Sequence, residues 1–394
     1  MQKQKNYIIK VLILVFIGAF AFLAFKQYIW DKRYIFPETK PFSGNYYYNP
    51  YKNIDPAKWL KANFHVHTLA WMGLTNGRKN SNELVDSIYS FLGYGLFSIS
   101  DYQRINQYLK KNTVYIPVYE HGYLPPKNHQ LVLNAKKVCW LDYLFPHTLD
   151  NKQNVINTLK KDSLSIVAVA HPHWHDSYIP DDFMYLCGYD LIEVLNHNRF
   201  SVEIWDAALS SGRAAFIIAD DDSHKLEDIN TGGRCCTFIN TTIDKDSALA
   251  ALISGRAYGI DVYMYPGESY SQKRRKFQHL TYLENLTVHG DSLELTLSDT
   301  AFEIKFIGQG GQLRKTVKND IKTSYIFSSD DTYIRTEVVA SDKSVLYFNP
   351  VIRFNGVNLP EYKASVNYFM TWIWRAGFII LLLSVIFIFR HHKN

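Results

Sequence analysis

The chain has 394 residues, 47% of them hydrophobic and 20% charged, which excludes bulk disorder and leaves room for two globular domains. Its net charge of +6 is concentrated at the ends: residues 1–40 carry +5 and residues 375–394 carry +3, leaving −2 for residues 41–374. A basic excess that flanks the most apolar segments reads as membrane topology and removes the electrostatic footprint of a nucleic-acid partner.

In chain order, residues 7–25 (YIIKVLILVFIGAFAFLAF) come first, an apolar run long enough to span a bilayer. A cleavable signal peptide is the rival reading, but Ala19, Ala21 and Ala24 make poor cleavage sites and the run exceeds an ordinary signal-peptide core. Residues 1–33 are therefore expected to be a transmembrane anchor with its flanks, and residues 34–57 a linker. From about residue 60, short β-rich runs appear at 62–67, 94–100, 114–119, 165–170, 190–195 and 214–219. Helix-like stretches at 81–92, 151–162, 201–211 and 246–254 separate several of them. Strands alternating with helices predict parallel β/α units, in a doubly wound sheet or a barrel, over 58–270.

Side chains able to bind metal fall at the strand ends. His65 and His67 lie on the first, Asp101 follows the second, Glu120 the third and His171 the fourth, while Asp222 and His224 follow the last. In (β/α) barrels chemistry collects at the carboxyl ends of the strands, so a metal site is expected there. Four cysteines (Cys139, Cys187, Cys235 and Cys236) show neither CxxC nor Cys/His zinc spacing, and adjacent Cys235 and Cys236 read as buried thiols rather than a redox pair.

After about residue 275 the texture changes. A basic linker, SQKRRKF, leads into short alternating runs from YLENLTVHG to VLYFNPVIRF, which predict a small β-sandwich over 275–357. The final run, 368–389, opens with an aromatic belt (Tyr368, Phe369, Trp372, Trp374), is interrupted by Arg375 and ends aliphatic. It predicts a second transmembrane helix over 366–390. Arg390, His391, His392 and Lys393 then mark a cytoplasmic tail, residues 391–394. If both segments span, both termini are cytoplasmic and the catalytic part is extracytoplasmic.

The two imidazoles of HVH, 65–67, share one face of a strand because side chains alternate. Alone this signals little; its company is KANFHVHT, YEHGY, KNHQLVLN, VAVAHPH and IIADDDSH, in that order. The series resembles the polymerase-and-histidinol-phosphatase (PHP) superfamily, and in particular its membrane-associated or secreted members. These continue into a small β domain ending in an asparagine–proline segment like FNPVIRF. The resemblance spans roughly 58–355 and implies a distorted (β/α)7 TIM-like barrel with metal-dependent phosphoesterase activity. It assigns His65 and His67 to one metal, Glu120 to a bridge between two, and His129 and His171 to the second. Asp222 and His224 match the terminal D-x-H, with the aspartate on the first metal. Imidazole and carboxylate donors suit Zn, Mn or Fe. Two such divalent ions activate a hydroxide and clamp the oxygens of the ester.

The sequence departs from the family at two places. LAWMGLTNG, after HVHT, offers no further ligand, and Asp101-Tyr102 stands where the family has aspartate–histidine. Both positions serve a third metal, so two metals are expected. His224 is then free for substrate phosphate or proton transfer, oriented by Asp101, and Tyr102 either packs or points its phenol at the site. Arg104, Arg199 and Arg234 follow strand ends and are candidates for holding phosphate, with salt bridging as the plainer reading. His173 and His175 read as loop residues, Asp220 and Asp221 as turn residues, and Glu193 as either a support for a ligand or a structural hydrogen-bonding group. The expected substrate is a phosphorylated small molecule or a phosphodiester. The same chemistry permits hydrolysis of a non-phosphate ester or amide. A non-catalytic, membrane-tethered module recognising glycan or protein is the reading from another class.

Overall fold

A computed structural model describes residues 2–391 apart from 113, 125 and 198; the tail residues 392–394 lie outside the described residues. The strands bearing the candidate ligands are Trp59–Asn63, Leu96–Phe97, Val118–His121, Gln130–Leu133, Ile166–Val169, Leu191–Asn196 and Phe216–Asp220. The third begins later than its apolar run because Pro117 has no N–H to give a ladder. Helices Asn82–Phe91, Leu149–Leu159, Val202–Ser210 and Lys245–Ile253 stand where the periodicity places them. Three of them start at polar caps: Ser81 accepts from Leu84 N–H, Thr148 forms a capping box with Asn151, and Asp244 accepts from Ser247 N–H.

The expectation of purely parallel β/α units is corrected at Gln130–Leu133, which runs antiparallel to both neighbours, Val118–His121 and Ile166–Val169. A reversed strand presents its beginning where its neighbours present their ends, and His129 reaches the same rim by that route.

The expected barrel is not a closed hydrogen-bonded ring. Five of the seven strands, from Val118–His121 to Phe216–Asp220, form one sheet, and Trp59–Asn63 with Leu96–Phe97 belongs to another. Isolated bridges Val66–Ser223 and Tyr102–Glu120 link the two groups. The reason is edge occupancy. Trp59–Asn63 is flanked by Leu96–Phe97 on one edge and by antiparallel Cys235–Asn240 on the other, so Phe216–Asp220 cannot ladder onto it. Side chains satisfy the seam instead. Thr237 Oγ1 accepts from Ala219 N–H (2.8 Å) and donates to Ala219 O (3.0 Å). Asn349 Oδ1 accepts from Ile217 N–H (2.9 Å) while its Nδ2 donates to Gly255 O and Ala257 O. Asp220 Oδ1 accepts from Phe64 N–H at 2.5 Å.

The runs expected to make a separate sandwich do form strands, Leu283–His289, Ser292–Gly308, Gln312–Ile326, Tyr333–Ala340 and Val345–Phe354. They are not a free-standing pair of sheets. Val345–Phe354 pairs antiparallel with Ala257–Asp261, and that ladder runs on through Cys235–Asn240 to Trp59–Asn63, giving one ten-stranded sheet. One buried apolar cluster likewise joins Val85, Tyr89 and Leu92 to Leu283, Leu295 and Phe348. The basic linker is a helix, Tyr270–Phe277, with a Ser269/Gln272 capping box. Its Lys273 is buried and donates to Ile229 O and Gly232 O.

Within the helix Gln2–Ile29, the stretch Gln4–Gln27 (24 residues, mean hydropathy 2.8) is long and apolar enough to cross a membrane; its most apolar part is left uncovered by the protein, while Gln27 at its end is buried. The second span expected over 366–390 is not shown. Among the described residues, the apolar stretch of the helix Tyr368–His391 is Tyr368–Ser384. The two helices leave the protein side by side: Tyr34–Ile35 pairs with Ser365–Val366, and Phe25 meets Phe378 at 6.5 Å.

The side-chain seam predicts an order of stabilities. Thr237→Val keeps the shape but strands two buried backbone groups, and should cost about 2 kcal/mol. Asn349→Ala strands Ile217 N–H and Gly255 O, leaves Ala257 O to Tyr51 OH, removes buried side-chain volume as well, and should cost about 3 kcal/mol. Thr237→Ser should stay near wild type. Urea unfolding of the full chain in detergent measures the series; equal midpoints for all three variants would show that the seam carries no stability.

Candidate metal centre

The first and last motifs are brought together by backbone. Asp222 N–H donates to His65 O (2.9 Å) and His67 N–H to Ser223 O (3.1 Å), so HVH and DDDSH lie along each other. Asp222 and His171 both take positive φ, +48° and +28°, a region costly for non-glycine residues and often found where a site dictates side-chain direction.

Seven side chains meet there. His65, His67, Glu120, His129, His171 and Asp222 are buried, and His224 closes the outer edge with its side chain 25% exposed. Their donor atoms form four overlapping triads: His65/His67/Glu120, His65/His171/Asp222, His67/Asp222/His224 and Glu120/His129/His171, each with ligand atoms within 4.8 Å of one another. Glu120 lies at the middle. Its Oε1 is 2.6 Å from His129 Nδ1 and 2.9 Å from His171 Nε2, while its Oε2 is 3.0 Å from His67 Nε2 and 3.4 Å from His65 Nε2. Asp222 Oδ1 lies 3.2–3.3 Å from Nε2 of His65, His67 and His224.

The electrostatics follow from this packing. Burial alone would raise the Glu120 carboxyl, but the imidazoles of His129 and His65 outweigh it and hold the group well below its usual range. Asp222 is held down in the same way by His65 and His224. Burial pushes the His129 and His224 imidazoles below their ordinary value, which favours neutral rings with lone pairs to offer.

Outside the cluster, Glu193 supports two of its members. Its Oε1 is 2.9 Å from His65 Nδ1, which leaves His65 Nε2 facing inward, and its Oε2 accepts from His171 N–H at 2.6 Å. Asn196, at the end of the same strand, donates to Asp222 Oδ2 (3.2 Å). It was missed in the sequence, although reading strand ends at 190–195 as closely as the others would have found it. Tyr102 packs: its ring stacks on His67 at 4.4 Å, and His224 stacks on His67 at 4.2 Å.

Asp101 does not orient His224, as was expected. Its carboxylate accepts from Thr68 N–H, Thr68 Oγ1 and Asn106 Nδ2 at 2.8–3.0 Å, which pins the turn after His67, and it is Asp222 that meets His224. The three arginines stand apart from the cluster in the described contacts. Arg234 pairs with Asp261 (3.0 Å) and donates to His197 O, Arg199 Nη2 lies 3.1 Å from His173 Nε2, and Arg104 is exposed. Asp221 organises a turn by accepting from Tyr89 OH and from Gly233, Arg234 and Cys235 N–H. Burial, with Glu193 nearby, drives the Asp220 carboxyl well above its ordinary value.

The donor set fits divalent cations. Glu120 Oε2 is buried and receives no hydrogen bond among the described residues, and imidazole nitrogens of His65 and His67 face each other at 3.1 Å. Nitrogen and oxygen donors without thiolate suit Zn, Mn or Fe.

No protein-family model and no curated protein matches the chain. Among solved structures it is similar to a two-domain protein from Bacteroides vulgatus ATCC 8482, described as containing a predicted PHP-like metal-dependent phosphoesterase. The identity is 16% over 80% of this chain and 99% of that one, with a TM-score of 0.39. It is also similar to PsfC from Pseudomonas syringae PB-5123, at 14% identity over 56% of this chain and 97% of that one, with a TM-score of 0.36. Likeness at this level establishes neither a shared family nor a shared reaction, and the chemistry is read from the side chains.

Proposed function

We propose that the protein is a metal-dependent hydrolase, a PHP-type phosphoesterase holding two divalent ions. The observation that carries this reading is Glu120, whose two oxygens face two different histidine pairs. His65, His67 and Asp222 would hold one ion with Glu120 Oε2, and His129 and His171 the other with Oε1. Bound in this way, such ions supply Lewis-acid stabilisation of phosphoryl oxygens and lower the pKa of a water. The chain's own residues do the rest. Glu193 fixes the His65 ring, and the Tyr102 and His224 rings both lie against His67. His224, at the exposed edge beside Asp222, would serve substrate phosphate or proton transfer. Gln4–Gln27 anchors the protein in the membrane; the basic flanks support cytoplasmic termini and an extracytoplasmic site.

Metal quantification on the dialysed full chain in detergent should find about two divalent ions per chain, since two-metal hydrolases hold both ions by protein ligands. His65→Ala and Glu120→Ala should each lose metal and lower the hydrolysis of p-nitrophenyl phosphate or its bis ester about 100-fold or more. A wild-type chain that retains no metal, or variants that remain fully active, would sink the reading; the preferred ester separates monoesterase from diesterase.

A second outcome concerns Glu193. Glu193→Ala should weaken metal retention about 10–100-fold in chelator competition, with all seven cluster residues intact. Glu193→Gln, which can still accept from His65, should fall between it and wild type.

A further inference from the structure

Beside the metal centre lies a rim that is apolar and turned to solvent. Residues 69–74 follow the HVHT motif directly; Met72 is 97% exposed, Leu74 85%, and Leu69 and Trp71 are exposed as well. Trp71 and Met72 both take positive φ, +51° and +54°, an unfavourable backbone for two successive non-glycine residues. Apolar side chains held outward by a costly backbone call for a partner surface.

The contacts of this rim run in two directions. Toward the site, Trp71 Nε1 donates to Tyr102 O at 2.8 Å, and the Tyr102 ring lies on His67. Toward the N-terminal helix, Trp71 meets Trp140 edge-on at 5.9 Å, and Trp140 O accepts from Lys26 Nζ at 3.1 Å. Lys26 stands at the end of the membrane-crossing stretch, where a lysine ammonium reaches for the bilayer surface. The joint is stiff. Gln27 exchanges two hydrogen bonds with the backbone of Phe145, and Asp31 accepts from Tyr143 OH and Asn151 Nδ2. The same segment closes the strand that bears Glu120: His121 Nε2 donates to Leu141 O, and Asp142 accepts from Tyr123 and Leu124 N–H. The anchor therefore fixes the height and tilt of the site's mouth instead of letting it swing on a tether.

We propose that residues 69–74, with Trp140, sit in the headgroup layer of the bilayer crossed by Gln4–Gln27, so that the metal centre works on phosphate esters of membrane-resident amphiphiles. The substrate class rests on the phosphoesterase reading above; the membrane contact does not. Tryptophan and aliphatic side chains are those that partition into that layer, and continuity with the anchor through Lys26 and Trp140 names the bilayer as their partner.

The test uses the full chain in phosphatidylcholine vesicles, with Cys139→Ser removing the one cysteine that is not buried. An environment-sensitive fluorophore on Met72→Cys, and separately on Leu74→Cys, should shift to the blue and be quenched by brominated phosphatidylcholine. The same label on Asp246→Cys should do neither. That residue neighbours Lys245, which meets Asn134 just beyond the end of Gln130–Leu133 opposite His129. Labels at 72 and 74 that stay in water overturn the proposal, whatever the activity. Met72→Asp with Leu74→Asp should lower hydrolysis of phosphatidic acid or phosphatidylglycerol in nanodiscs about tenfold, the effect expected from losing two inserted apolar side chains. Hydrolysis of p-nitrophenyl phosphate or its bis ester should be unchanged. Equal rates on the bilayer-held esters would overturn the substrate class. Failure on every ester, with the labels still quenched, would count against the phosphoesterase and leave the membrane contact standing.

Discussion

Glu120 and Asp222 place two carboxylates in a buried space whose other walls are imidazole. Desolvated carboxylates are tolerated only when opposite charge or hydrogen bonding compensates them, and here neighbouring histidines supply that compensation. Much of the surrounding structure serves this balance. Glu193 braces His65 and the backbone of His171, Asn196 braces Asp222, and Asp101 ties down the turn that follows His67. The same negative field that retains protons on His65 favours any cation placed between the rings.

A site drawn from so many strand ends needs those ends at one level, and the fold achieves this without a closed ladder. Trp59–Asn63 already has a partner on each edge, so Phe216–Asp220 is tied in through Thr237, Asn349 and Asp220. Such a seam asks for specific polar side chains, since each unmatched buried N–H or C=O is costly. It also lets the sheet continue, through Ala257–Asp261, into the C-terminal strands. Those strands thereby become part of the scaffold that holds the first motif.

Several elements were legible in the sequence. Short β-rich runs and helix-like stretches placed six of the seven strands that bear the candidate site and four of the helices, but not Gln130–Leu133, nor the caps Ser81, Thr148 and Asp244 at which three helices begin. His65, His67, Glu120, His171, Asp222 and His224 also stand out in the sequence, as imidazoles and carboxylates at the ends of apolar runs, whereas His129 enters only through the family resemblance. Less could be read where meaning depends on a distant partner. The basic SQKRRKF segment reads as a linker until Ser269 and Gln272 are seen to cap a helix whose Lys273 finds buried carbonyls.

What the sequence determined by itself, then, is local: which segments are apolar, which alternate, and which side chains can bind a cation. The tertiary structure decided which edges pair, that Gln130–Leu133 runs backwards and so delivers His129, and that Asp101 faces Thr68 while Asp222 faces His224. It also set the rim of residues 69–74 against Trp140 and the end of the helix Gln2–Ile29. The division has a physical cause. Hydrophobic periodicity follows from backbone geometry repeated every few residues, whereas edge pairing and side-chain direction depend on groups that meet across a hundred residues or more and leave no periodic trace.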